Sequence, residues 1–326
     1  IWSGGFRRNT KRQRDRAAPD RTFAAGEHTC EACEASERGC RMRTRKLELL
    51  RSDEILDEMR RCPVVYLPLA PLEWHGPHLP YGVDPLYAHE LALRLAGRLG
   101  GLAHPCLFLG SERERDPETL KRLGFRGDEW IVGMDFPANS LPSLYLPEEV
   151  LGIVVRHQIL LLLRMGFHHV VIVNGHGGRN HVAALKRIAA EITAEGRGRV
   201  HYTFTFPDGA GTWARRHHAS TDETAVMLHL YPETVRTAAL PPAGTPIRAR
   251  DFAVVDEDGF AGKNLPEGTI TEDPRTTTAA LGKQHLDAAV EALVAALRDL
   301  RESSSRTGQT SPQREPEEDQ AGADVF

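Results

Sequence analysis

Two short apolar runs, residues 64–69 (Val-Val-Tyr-Leu-Pro-Leu) and 170–173 (Val-Val-Ile-Val), each give way at once to a loop of glycine and histidine. Runs this apolar suit strands buried in a sheet, although Pro68 signals that pairing ends nearby. The order of the remaining elements narrows the choice. A strand over 63–69 precedes a helix over 85–99, and a strand over 103–109 precedes a helix over 147–164. A strand over 169–173 is followed by a helix over 180–195, a strand over 200–206, and helices over 222–230 and 278–301. Strands alternating with helices predict one α/β domain with a mainly parallel sheet flanked by helices on both faces. Residues 241–277, rich in Pro, Gly and Asp, read as a long irregular excursion.

The loop after the first run is Leu72-Glu73-Trp74-His75-Gly76-Pro77-His78-Leu79-Pro80-Tyr81-Gly82-Val83-Asp84. Glu73, His75, His78 and Asp84 form an oxygen and nitrogen donor set without thiolate, suited to zinc or manganese. Such sets usually keep one coordination position open for water, which points to hydrolysis rather than to a structural ion. Single polar loop residues are ordinarily just solvated; four in one short loop at a strand's carboxyl end are where open α/β sheets place their sites. The loop after the second run, Asn174-Gly175-His176-Gly177-Gly178, leads into an apolar stripe at Val182, Leu185, Ile188 and Ile192. Taken alone, that turn fits a locally bonded histidine as well as a ligand. Beside the first loop, the metal reading prevails. The free N–H groups of the following helix would suit an anionic substrate or an oxyanion.

A third segment runs His217-His218-Ala219-Ser220-Thr221-Asp222-Glu223-Thr224 into an apolar stretch. Ser220 or Thr221 would serve as helix cap, with acids in the first turn complementing the dipole. The functional alternative makes His218 an acid/base group and Glu223 a ligand or proton shuttle.

Together these segments resemble the creatininase family of metal-dependent amidohydrolases. Glu73 to Pro80 with Asp84 matches the family's Glu-x-His-Gly-x-His-Leu-Pro…Asp signature. Asn174 to Gly178 matches Asn-Gly-His-Gly-Gly-Asn, except that Arg179 precedes Asn180. His218 to Ala225 approximates His-Ala-Gly-x-x-Glu-Thr-Ser. The similarity spans residues 46 to about 300. It implies two divalent metal ions, Zn and/or Mn with Fe as an alternative, bridged by Asp84. Glu73 and His176 would bind one and His75 the other. Creatinine-hydrolysing members carry a Glu ligand where this chain has Gly178, so either Glu223 takes over or the second site is weaker. The resemblance further implies catalytic roles for His218 and Glu223, and substrate contacts from His78, Gly177, Ser111 and Trp74, the last equally suited to packing beneath its loop. Cations that activate a water, with His218 protonating the leaving nitrogen or orienting the intermediate, complete the implied chemistry. The middle segment, 110–143, is long and divergent: Asp135-Phe136-Pro137-Ala138-Asn139 replaces Phe-Pro-Gly-Thr, and a histidine expected near Gly110 to Arg113 is missing. Loops of this kind shape specificity, so it is expected to form the substrate pocket.

The expected reaction is hydrolysis of a C–N bond in a small amide, lactam or formamide. A peptide-cleaving maturation factor and a metal-binding assembly subunit without catalysis are the alternatives. Residues 1–45, basic and aperiodic, and 302–326, rich in Ser, Pro and acids, are expected to be disordered flanks of a domain over 46–301. Opening on Ile rather than Met leaves a fragment and an over-extended reading frame both open. His28, Cys30, Cys33 and Cys40, a Cys-x-x-Cys with a nearby His and a third Cys, could bind zinc but lack the spacing of a zinc finger or ribbon, and Cys62 and Cys106 read as buried thiols. The odd cysteine count fits a reducing cytoplasm. A net charge of −4, no membrane-length apolar run and no signal-peptide pattern argue against nucleic-acid and membrane partners. A homo-oligomer, hexameric by family resemblance, is expected.

Overall fold

A computed structural model describes residues 43–207, 218–243, 245, 247 and 273–298. Nearly all of the expected flanking tails, the Cys30–Cys40 segment and most of 241–277 lie outside the described residues. Among the described residues four parallel strands form one sheet: β1 (Val64–Leu69), β2 (Leu102–Ala103), β3 (His169–Asn174) and β4 (Arg199–Phe204), in the order β2-β1-β3-β4. The α-helices among the described residues are α1 (Ser52–Arg61), α2 (Val83–Leu99), α3 (Pro117–Arg122), α4 (Glu148–Met165), α5 (Arg179–Ala194), α6 (Thr221–Leu230) and α7 (Ala279–Ala296).

Every residue of β1 and β3 is buried, as unalternating apolar runs require. The pleat then divides them. Val64, Tyr66, Val171 and Val173 face one way, against Leu91 and Leu95 of α2 and Leu286 and Leu293 of α7. Val65, Leu67, Leu69, Val170 and Ile172 face the other, against Val155 and Ile159 of α4 and Leu185, Ile188 and Ile192 of α5. Each such Leu, Ile or Val contributes about 1.5–3 kcal/mol by leaving water. The fold class read from the sequence is therefore the observed one, with both faces of the sheet covered.

Three elements differ from expectation. The strand foreseen over 103–109 pairs for only two residues. Pro105 has no N–H to donate, and the chain beyond touches β1 only through single bonds such as Leu107 N–H to the Pro68 carbonyl. Residues 52–61 and 117–122, where no element was expected, form α1 and α3; the Glu54 carboxylate accepts the Arg51 N–H in the first turn of α1, and Asp116 Oδ1 accepts the Thr119 N–H at the start of α3. Cys62 is buried, whereas Cys106 is half-buried. Among the described residues no helix is long and apolar enough to cross a membrane.

The strand order fixes where a site can form. From β1 the chain moves outward to β2, and β3 then pairs on β1's other side and leads on to β4. The connections leaving β1 and β3 thus diverge, opening a crevice at the carboxyl ends of these two strands. The 72–84 and 174–178 loops emerge there.

Candidate active site

Asp84 lies in the first turn of α2, and its carboxylate faces two imidazoles at once. Oδ1 is 3.2 Å from His75 Nε2 and Oδ2 is 3.2 Å from His176 Nδ1. Glu73 Oε2 lies 3.3 Å from His176 Nδ1, and Glu223 Oε2 lies 3.7 Å from His75 Nε2. Two donor triads result, Glu73/Asp84/His176 and His75/Asp84/Glu223, which share Asp84; a third, Glu73/His75/His218, overlaps both. The ligand atoms of each triad fall within 4.8 Å of one another.

Local bonding accounts for the aim of each ring. The backbone carbonyl of Glu73 is 3.1 Å from His75 Nδ1, so that nitrogen donates and Nε2 is the atom turned to the cluster. In the second loop the Asn174 side chain straps the turn: its Oδ1 accepts the His176 N–H and its Nδ2 donates to the His176 carbonyl. Gly175 is required by space, because a Cβ there would sit 2.4 Å from the Asp84 carbonyl oxygen. His218 Nε2 donates to the Trp74 carbonyl at 2.7 Å, leaving Nδ1 on the cluster side, 4.0 Å from Glu73 Oε2. The next residue, Ala219, adopts φ 54°, a conformation costly for a residue with a Cβ. Its N–H donates to Glu223 Oε2 at 2.5 Å, which holds both that strained turn and the Glu223 carboxylate. The expected Ser220 or Thr221 cap is not formed; neither hydroxyl finds a hydrogen-bond partner among the described residues.

The electrostatics show how crowded the centre is. Burial works against charge on His75, yet Asp84, Glu223 and Glu73 outweigh it and lift its pKa to about 10. Burial likewise opposes charge on His176, and Glu73 and Asp84 hold its pKa well above the usual imidazole value. Burial pushes Glu223 up to about 8, with Asp84 adding to the effect and His75 opposing it. Burial would raise Glu73, but His176, His218 and His75 hold it well below the usual carboxylate range. Burial and the neighbouring His75 depress His218 to about 3. Three buried carboxylates around an imidazole nitrogen that makes no hydrogen bond, His75 Nε2, form a donor set that a divalent cation fits.

A cavity of about 830 Å³ opens over this centre. Glu73, Asp84, His176, His218 and Glu223 contribute to its lining, as does Gly177. Segment 110–143 supplies a wall through residues 112–117, 119 and 133–134, in line with its expected part in shaping the pocket. The other expected substrate contacts do not line the cavity. Trp74 is buried against Leu120, Leu123, Ile131 and Phe136, so its ring anchors the 110–143 segment. His78 is buried with Nε2 3.1 Å from Thr224 Oγ1, tying the first loop to α6, and burial lowers its pKa to about 4. Ser111 is fully buried; its N–H donates to His181 Nδ1 and its Oγ accepts from Asn180.

Three site residues escaped the sequence reading. Tyr145 donates its hydroxyl to Glu73 Oε1 at 2.5 Å, and burial together with Glu73 raises its pKa so that the proton stays on. His181 donates through Nε2 to Asn174 Oδ1 at 2.9 Å and packs edge-on against His176. Glu112 lines the cavity beside His176. Only His181 left a signal, being in phase with the buried stripe Leu185, Ile188 and Ile192.

Comparison with known proteins agrees with this architecture. The chain is similar to the mycofactocin precursor peptide peptidase of Mycobacterium tuberculosis, 29% identical over 243 residues, 70% of this chain and 82% of that protein. It is equally similar to that of Mycobacterium ulcerans, 29% over 237 residues, 68% of this chain and 79% of that protein. Among solved structures, a creatinine amidohydrolase (creatininase) superposes with TM-score 0.56 at 23% identity, covering 79% of this chain and 98% of that one. A putative creatinine amidohydrolase from Bacteroides fragilis gives 0.53 at 20%, covering 84% and 100%. These two likenesses speak to the fold. The sequence pattern of the family described as creatininase, creatinine amidohydrolase, matches residues 48–297, and the chain belongs to this family of hydrolases.

Proposed function

We propose that the chain is a metal-dependent amidohydrolase that cleaves an amide C–N bond at the centre shared by Asp84. The observation that carries this reading is the pair of donor triads with Asp84 in common on the floor of the cavity. Glu73, Asp84 and His176 would hold one cation, and His75, Asp84 and Glu223 a second, with zinc and manganese the ions best matched to these donors. When bound, such ions supply the charge that activates a water and polarises a carbonyl.

The chain's own residues do the rest. Tyr145 satisfies Glu73 Oε1 and leaves Oε2 for the cluster. His218 is neutral at neutral pH, with Nε2–H fixed on the Trp74 carbonyl and Nδ1 free to take up a proton. Lining the cavity beside Glu73, this ring is placed to pass a proton to the departing nitrogen. Gly177, exposed on the cavity wall, leaves room for substrate beside the cluster.

Two substrate classes fit. A small amide, lactam or formamide matches the chemistry of the centre. A peptide segment is favoured by the relatives described as precursor peptide peptidases and by a cavity large enough for several side chains. We also propose self-association, hexameric by family resemblance. It is supported by a row of apolar side chains on α4 turned away from the sheet, including Val150, Ile153, Leu161 and Met165.

The test is metal analysis of purified protein, followed by assay on creatinine, formamides and short peptides with and without chelator. Hydrolysis lost to chelator and restored by zinc or manganese is the expected result. Protein that holds metal yet hydrolyses no member of the panel would instead fit an assembly subunit.

A further inference from the structure

We infer that Glu112 is a positioning residue of this centre, holding His176 from the side of the ring opposite the ligand cluster, in space that the absence of a side chain at residue 178 keeps open. His176 turns Nδ1 toward Asp84 and Glu73, so Nε2 points away from both. That nitrogen makes no hydrogen bond, and the Glu112 carboxylate stands beside it with Oε2 at 3.5 Å. The other oxygen, Oε1, accepts the Arg113 N–H at 2.8 Å, which fixes the carboxylate to its own backbone.

Gly178 explains the arrangement. Its φ of −52° is open to any residue, so glycine is not needed there for backbone conformation. It is needed for space: a Cβ at 178 would lie 2.6 Å from His176 Nε2 and 2.7 Å from Glu112 Oε2. Any side chain at this position would enter the gap between the two groups. His181, edge-on to His176 with ring centroids 5.1 Å apart, limits how the ring can tilt away. An imidazole that ligates through one nitrogen ordinarily donates its other N–H to a carboxylate or carbonyl, which fixes the tautomer and strengthens the ligand. Glu112 is placed to be that acceptor once His176 closes the remaining fraction of an ångström.

This inference rests on the proposed metal centre, and the experiment separates the two. Full-length protein is stripped with chelator, and the affinities of zinc and manganese are measured by competition. Wild type is expected to bind zinc, Glu112→Gln to bind it more weakly, and Glu112→Ala about 10–100-fold more weakly, all with unchanged unfolding temperature of the metal-free protein. In long-range proton–nitrogen spectra of the zinc-loaded protein, the His176 Nε2 proton should be sharp in wild type and exchange-broadened in Glu112→Ala. Gly178→Ala should weaken zinc binding in wild type and weaken it less in the Glu112→Ala background, since the added methyl then displaces one group instead of two. Wild-type zinc affinity in both Glu112 variants would overturn the role of Glu112 and leave the centre standing. Wild-type protein that binds neither ion would overturn both.

Discussion

Buried imidazoles stand at both ends of the sheet, and the two ends treat them in opposite ways. At the carboxyl end, His75 and His176 are pulled toward the charged form by Asp84, Glu73 and Glu223. At the amino end, His169 of β3 stacks on His201 of β4, with Nδ1 and Nε2 3.2 Å apart, and its pKa falls to about 4. Burial acts in the same direction at both ends. The difference lies in the neighbours, which are carboxylates at one end and His201, Arg199 and His168 at the other. A buried histidine is therefore informative only with its partners, and the acids brought in by the β1–α2 loop, the start of α2 and α6 are what set the carboxyl end apart as a candidate cation centre.

Removing the shared acid breaks that contrast most severely. Asp84→Ala takes one donor from both triads and leaves His75 and His176 facing each other with less opposing charge. The stabilisation supplied by bound cations amounts to several kcal/mol, so kcat/KM should fall by about 10³-fold or more, with bound zinc or manganese lost in metal analysis. Turnover that survives Asp84→Ala would remove the basis of the proposed chemistry.

A smaller effect is expected one bond away. Tyr145→Phe deletes the hydroxyl that donates to Glu73 Oε1 and leaves that buried oxygen without its donor. A hydrogen bond to a charged group is worth roughly 1.5–3 kcal/mol, so metal affinity and kcat/KM should drop by about 10–100-fold. The same bond is lost from the metal-free protein, whose unfolding temperature should fall by several degrees as well. An unaltered zinc affinity in Tyr145→Phe would show that Glu73 is oriented by its backbone alone.

Tyr145 also shows where the sequence stops being readable. Glu73, His75 and Asp84 share one loop, and His176 sits in a strand-to-helix turn of recognisable composition, so short-range pattern was enough to select them. The central strands and the helices on both faces were legible for the same reason, since burial on two faces leaves an apolar run and burial on one leaves a stripe. Glu112, near the start of the divergent 110–143 segment, and Tyr145, just past its end, reach the centre through folding that leaves no periodic trace. Trp74, His78 and Ser111 lie beside functional residues in sequence but are turned into packing, which adjacency alone does not distinguish. The shortness of β2 depended on one proline and on where the following residues go, and only the second of these was hidden.

The smallest predicted effect tests the amino end of the sheet. His169 titrates near 6.5 when unfolded and about 4 when folded. Between those values the unfolded chain binds more protons, so this group's contribution to stability is complete above about pH 6.5 and is lost as pH falls toward 4, below which it levels off. The depressed His201 adds to the same trend. His169→Asn, which cannot take up the proton, should therefore lose less stability than wild type between pH 7.5 and pH 4.5. A difference on the order of 1 kcal/mol corresponds to about 2–4 °C in a domain of this size, measurable by thermal unfolding of metal-free protein at the two pH values. Metal-free protein is the right sample, because bound cations would add a pH dependence from His75 and Glu223 at the opposite end. Identical acid sensitivity in wild type and His169→Asn would show that the stacked pair is not where this fold is vulnerable to protons, and that the contrast between the two ends of the sheet has no energetic counterpart.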